Sequence, residues 1–381
     1  MIPTRMRRVL GLLGCLLAWL AGGPAAALEI TDVTDRTVEL DGPAQRVILG
    51  EGRLLYALGA LGLEDPVGRV AGMLNDFRRL DPAGYARFQA AYPAIDEVAT
   101  FGQTSEASVS IETAIALQPD AAIFSTGGHG PGERSELMIQ ALKQAGIPVV
   151  FVDFRTDPLA NTPRSMRVIG QVLGAERAAQ TFADFYAAEA ARVTGRLQGA
   201  EVRRPQVLLE VHVGLREQCC FSLADGSLAD LIAAAGGRNL AAGRLPGAAG
   251  MLNLEMVLAE QPDIYLGTAI GSESGPMAAP GRIVLGPGVS DATARESLAA
   301  ALDRTGVGEL RAVQRGRAFG IWHHLYNSPL NLYALQRFAK WFHSELFADL
   351  RPEATLAKLL RRFDPVDLSG VYGVGLQREA Q

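Results

Sequence analysis

Two stretches lying 143 residues apart decide the fold: Ser110-Ile111-Glu112-Thr113-Ala114-Ile115-Ala116-Leu117-Gln118-Pro119-Asp120 and Asn253-Leu254-Glu255-Met256-Val257-Leu258-Ala259-Glu260-Gln261-Pro262-Asp263. Each opens on a residue that caps a helix N-terminus and places Glu at the second helical position. Each repeats apolar residues at helical spacing and stops at Gln-Pro-Asp. Each then enters a short apolar strand, Ala121-Ala122-Ile123-Phe124 or Ile264-Tyr265-Leu266. One supersecondary unit is therefore used twice.

Working outward, apolar runs of strand length alternate with helical patterns: Arg46 to Leu49 then Leu54 to Leu61, Leu137 to Ala145 then Ile147 to Val152, and Val207 to Val211 then Leu228 to Ala235. Such alternation specifies parallel sheets covered by helices. Thr162-Pro163 opens a further helical stretch. From Ala175 to Leu197 the apolar residues Ala178, Phe182, Phe185, Tyr186, Val193 and Leu197 recur at a period near 3.6, giving one apolar face. The fold class is thus α/β, two lobes with parallel-sheet, Rossmann-like cores joined by one long backbone helix. The divisions are 1–27 (leader), 28–156 (first lobe), 157–200 (helical segment) and 201–381 (second lobe).

The 381 residues are 48% hydrophobic and 20% charged, which excludes a disordered chain and suffices for more than one core. With 36 basic and 41 acidic residues the net charge is −5, so there is no basic footprint for nucleic acid. Arg5, Arg7 and Arg8 precede the apolar run Val9 to Ala21, and Ala25-Ala26-Ala27 follows. This is the pattern of a secretory leader cut before Leu28. Cys15 sits in Leu12-Leu13-Gly14-Cys15, loosely a lipoprotein box, but Leu13 is an atypical neighbour and cleavage there would expose Leu-Leu-Ala-Trp-Leu. Without residues 1–27 the charge is 33 basic against 41 acidic residues, or −8. Cys219 and Cys220 are then the only cysteines, and adjacent cysteines cannot staple distant loops. Either a vicinal disulfide or two reduced thiols fits them.

Taken together, the duplicated Glu helix before Gln-Pro-Asp, the segment Asp230 to Gly237 with Asn239, and the late strand Gly316-Arg317-Ala318-Phe319 resemble the class III periplasmic solute-binding proteins. The resemblance runs from Arg46 to about Phe363. It implies a receptor that captures a metal chelate between two rigid lobes and delivers it to the permease of an ABC importer with its ATPase. The expected cargo is a ferric siderophore, with haem, cobalamin or another metal complex or oxyanion as alternatives. It implies a monomer in the periplasm that needs no cofactor. It also implies that Glu112 and Glu255 meet Arg residues of the permease. Taken singly, either Glu would only complement a helix dipole; the duplication favours docking.

In open α/β sheets ligands bind beyond the carboxyl ends of strands. There the sequence places Arg53, Gln103 and His129 in the first lobe, and His212, Arg216, Trp322, His324 and Tyr326 in the second. If the strand through Trp322 continues extended, Trp322, His324 and Tyr326 point one way and His323 the other. His324 and Tyr326 are candidate ligands for metal left open by a chelator. Arg53 and Arg216 suit an acidic chelate. The excursion from Met73 to Tyr92 is a helical addition to the first lobe.

Two rivals are weaker. A bare-metal receptor needs a ligand cluster spanning both lobes, yet none of the five histidines precedes His129. A chelatase-like enzyme needs a coordinating His such as His212 or His324. The chain carries no Gly-x-Ser-x-Gly, Walker or His-Glu-x-x-His motif.

Overall fold

The computed structural model describes residues 27–272 and 278–376. The leader reading, with Cys15, lies outside the described residues. In the first lobe five strands pair in the order Ala99–Thr100, Val70–Met73, Val47–Leu49, Ala121–Ser125 and Val149–Val152, all parallel. In the second the order is Arg238–Asn239, Gln206–Glu210, Ile264–Ala269, Ala318–Trp322 and Gly373–Gly375, with only the last antiparallel. Every residue of Ala121–Ser125 and Ile264–Ala269 is buried. That explains continuous apolar runs in place of an alternating pattern.

The two copies of the repeat match in detail. The Ser110 hydroxyl accepts the Thr113 N–H at 3.1 Å and the Asn253 amide oxygen accepts the Met256 N–H at 3.1 Å. Gln118 and Gln261 both end their helices at φ +50°. Asp120 then accepts the backbone N–H groups of Gln45 (2.7 Å) and Arg46 (2.8 Å), and Asp263 accepts that of Gln206 (2.8 Å). Gln-Pro-Asp therefore does more than stop a helix: its carboxylate anchors the start of a neighbouring strand.

The connection between lobes is a helical hairpin, where the sequence predicts one principal helix. The helices are Pro158–Leu173 and Glu176–Gln198. The first begins before the expected Thr162-Pro163: Pro158 occupies its first turn, and Pro163 lies inside the helix, where it gives up one backbone hydrogen bond. Gly174, at φ +70°, supplies the left-handed turn between them. Phe182, Tyr186 and Val193 are buried as the period requires. No helix of the described residues is long and apolar enough to cross a membrane.

An aromatic seam adds a second joint. The Tyr56 ring of the first lobe lies 5.9 Å from Trp322 and 6.1 Å from Phe363, centroid to centroid, and Trp322 lies 5.0 Å from Tyr372. Burying each such ring stabilises by about 1.5–3 kcal/mol. A Cβ on Gly59 would sit 2.8 Å from the Phe363 ring, so the helix and the ring meet only because that position is bare. Phe363 belongs to the stretch assigned to the second lobe, yet it packs on the first.

Two buried acids generate predictions. Glu210, at the end of its strand, is held by both Arg304 nitrogens (2.9 and 2.7 Å) and by the Tyr265 hydroxyl. Replacing Arg304 by Ala leaves that carboxylate buried and short of charge, so a loss of about 3 kcal/mol is expected in chemical denaturation. Much of it should return in Glu210→Met/Arg304→Met. Asp81 caps the helix Pro82–Ala91 and accepts from Tyr56 (2.7 Å) and Gly84 (3.0 Å). Burial outweighs these bonds and pushes its carboxyl up to about 6. The folded chain thus takes up a proton near pH 6 that the unfolded chain takes up near 4. This group's cost is fully present above pH 6 and disappears as the pH falls toward 4. Asp81→Asn is expected to be more stable than the parent by ~1–2 kcal/mol at pH 7.5 and no more stable at pH 4.

Candidate functional site

The carboxyl ends of both sheets converge between the lobes, and the residues just beyond them form one cluster. Arg53 is at its centre, 1% exposed. Its Nε donates to Asp76 at 2.8 Å and its Nη2 to Glu51 at 3.3 Å, both from the first lobe. Its Nη1 reaches across to the second lobe, donating to the Tyr326 hydroxyl at 3.0 Å and meeting His324 Nδ1 at 3.2 Å. Burial disfavours the guanidinium charge, but Tyr326, Asp76 and Glu51 together hold Arg53 charged, above its ordinary value. Arg155, beyond the strand Val149–Val152, donates to Glu51 at 2.7 Å and lies 5.1 Å from the centre of the Tyr326 ring. Burial raises Glu51, yet the Arg155 and Arg53 charges bring it below the usual carboxylate range. Its Oε1 is buried with no hydrogen-bond partner among the described residues. Gly128, at φ +142°, leaves room for that oxygen, since a Cβ there would strike it.

The segment after Trp322 departs from the extended geometry expected. His323–Asn327 is a 3-10 turn. His324 and Tyr326 still reach one target, Arg53, but through a turn and not through strand alternation. Both His324 nitrogens are engaged: Nε2 donates to the Leu80 carbonyl at 3.0 Å and Nδ1 faces the Arg53 donor. The helical excursion thus reaches the site through Asp76 and Leu80, in the helix Asp76–Leu80. His323 meets His212, Nε2 to Nε2, at 2.8 Å. Burial, and then the neighbouring positive charge, pushes His324 well below its ordinary value. Burial and then Arg216 bring His212 to about 4.

The remaining sequence-derived residues are spread over this region. His129 is half-buried, its Nδ1 3.3 Å from the Thr104 carbonyl, and burial with the Arg53 charge lowers it. Trp322 is buried in the seam, 5.2 Å from the His324 ring. Gln103 is exposed and binds Asn75, and Arg216 is exposed over the Phe221 ring at 4.1 Å. Glu112 and Glu255 are both exposed at the first turns of their helices. Sequence reasoning singled out neither Arg155 nor Asp76, and it turned His323 away from the site. Arg155 follows a predicted strand as Arg53 does, so that signal was present.

Cys219 and Cys220 form a disulfide with each other. They lie near Glu210, but with both sulfurs bonded and the carboxylate committed to Arg304 and Tyr265 they are not a metal centre. A cavity of about 800 Å³ lies at the opposite pole of the second lobe, among Arg203, Asp263, Arg315 and Arg317, where the strands begin. It is remote from the cluster.

Comparisons with known proteins bear on the fold and the family. The family model described as periplasmic binding protein matches residues 80–319. A TroA-like periplasmic binding protein, FepB, from Veillonella parvula superposes with a TM-score of 0.80 at 25% identity over 92% of this chain and 100% of that one. The molybdate-binding protein MolA from Haemophilus influenzae gives 0.66 at 17% over 90% and 99%. A protein of an Fe3+-hydroxamate transport system from Saccharomonospora viridis gives 0.53 at 17% over 83% and 99%. No curated protein matches the sequence. The family is one of solute-binding components and not of enzymes, so the chelatase-like alternative falls away. With the family model matching residues 80–319, more than half of the sequence, and the two-lobed α/β fold in agreement, the chain belongs to the periplasmic binding protein family.

Proposed function

We propose that this protein captures a metal chelate, a ferric siderophore first among them, at the interlobe cluster and passes it to an ABC permease served by its ATPase. The observation that carries the reading is the meeting of guanidinium, imidazole and phenol groups from both lobes around Arg53. A ligand reaches this cluster along its less buried edge, where the half-buried His129, Arg155, His212 and Tyr326 lie with the exposed Arg216 beside them. Tyr326 offers a ring face, and the buried Glu51 Oε1 offers an acceptor to a donor group of the chelator. A bare oxyanion such as the molybdate bound by MolA is less well served. The Arg53 and Arg155 charges are already met by Asp76 and Glu51. Arg216 has no acidic partner among the described residues and favours an anionic complex. The protein acts as a monomer, exported by its leader to the periplasm, and needs no resident cofactor.

Titrating residues 28–381 with ferric siderophores, haem, cobalamin and molybdate, followed by the tryptophan fluorescence of Trp322 and Trp341, tests the cargo. Saturable quenching by a ferric siderophore at micromolar or lower concentration is expected. Saturation only by molybdate or haem would replace the siderophore as cargo. Tyr326→Ala should weaken that binding at least tenfold with an unchanged circular dichroism spectrum. Glu112→Ala/Glu255→Ala should bind cargo like the parent while uptake in cells falls; undiminished uptake would remove these residues from docking.

A further inference from the structure

We infer that His212 and His323 together ligate the metal of the cargo, and that the cargo is a chelate leaving two adjacent positions open on a six-coordinate ion. This rests on the chelate-receptor reading above and narrows its ligand class.

The pair is assembled across the sheet. His212 follows the strand Gln206–Glu210 and His323 follows Ala318–Trp322, and Ile264–Ala269 lies between these strands. Neighbouring strands are about 4.8 Å apart, so the two imidazoles span roughly 10 Å of sheet to meet. Thr268 of the middle strand positions both. Its hydroxyl oxygen accepts the His212 backbone N–H at 2.8 Å and lies 3.1 Å from His323 Nδ1. His212 adopts φ +58°, an unusual backbone for a non-glycine residue, to make the first contact. The His323 ring lies 4.6 Å from the Tyr326 ring, which limits its rotation.

The result is two Nε2 atoms 2.8 Å apart. With metal–nitrogen bonds of about 2.1 Å, adjacent ligands at a right angle stand about 3.0 Å apart and tetrahedral ones about 3.4 Å. The observed spacing fits the right-angled edge. His324, by contrast, has both nitrogens committed to Leu80 and Arg53, and the Tyr326 hydroxyl accepts from Arg53. In this arrangement the His212–His323 pair is better placed than His324 or Tyr326 to reach a metal.

The proton accounting needs no outside partner. One Nε2–H now lies between the rings. Ligation requires both neutral imidazoles to carry their proton on Nδ1, where His323 already has the Thr268 oxygen as acceptor. One ring exchanges tautomer and no net proton is released. The Arg53 and Arg216 charges that bear on the pair repel a bare cation and tolerate a negatively charged chelate.

The test uses tag-free protein, residues 28–381, and Ni(II)–nitrilotriacetate, a chelate with two adjacent open positions. Ni(II)–EDTA, with none open, is the control. Calorimetry and the nickel visible band should show one equivalent of the first bound and none of the second. Binding should fall at least tenfold in His212→Ala and in His323→Ala, and persist in His343→Ala, whose ring lies elsewhere against the Gly236 carbonyl. If His323→Ala fails to fold, His212→Ala, at the less buried of the two rings, carries the comparison. Equal binding by His212→Ala and parent, or no binding by the parent, overturns the inference. A parent that takes up a ferric siderophore but ignores the nickel chelate overturns the ligation alone and leaves the receptor reading standing. Nickel-chelate binding without any siderophore binding does the reverse.

Discussion

A guanidinium buried between two lobes constrains everything around it. Removing the Arg53 charge from water costs several kcal/mol unless acceptors replace the lost hydration. The planar fork of arginine dictates where those acceptors stand. Asp76 and Glu51 take one side, and Tyr326 and His324 take the other. Each acceptor then imposes its own conditions. Asp76 also binds the Gly52 N–H, Glu51 brings in Arg155, and His324 is pinned by Leu80. The relative position of the lobes is set by hydrogen-bond geometry at one cation.

The helical hairpin and the aromatic seam act in the same direction. Helices close-packed at Gly170 and Ala179 resist splaying, and Tyr56, Trp322 and Phe363 bury apolar surface that opening would expose. A binding protein built this way meets its ligand with side chains already in place, which lowers the entropy lost on binding. The less buried residues, His129, His212, Arg155 and Tyr326, lie along one edge, and the polar centre behind them is closed.

The architecture was legible because it rests on local patterns that survive without tertiary information. Caps at Ser110 and Asn253, the Gln-Pro-Asp stops and the 3.6 period of Glu176–Gln198 each follow from backbone hydrogen bonding and burial of one face. The site was legible only as a set of strand ends. That rule found Arg53, His129, His212, His324 and Tyr326. It could not pair them, because pairing depends on loop conformations. The His323–Asn327 turn shows the limit. An extended reading puts His323 on the wrong side, since nothing in His-His-Leu-Tyr-Asn marks a 3-10 turn. Asp76 was hidden for a related reason: its role appears only when the excursion Met73 to Tyr92 folds back on Arg53.

The placement of Phe363 also bears on how the chain reaches this state. The helix Leu55–Ala60 of the first lobe is covered by a ring 304 positions beyond Gly59. The first lobe therefore cannot bury its own aromatic surface while the second half of the chain is missing. Contacts of such long sequence separation form late and slow the search for the native state. A chain synthesised only through the first lobe carries an uncovered Tyr56–Phe88 face until the stretch around Phe363 arrives to cover it.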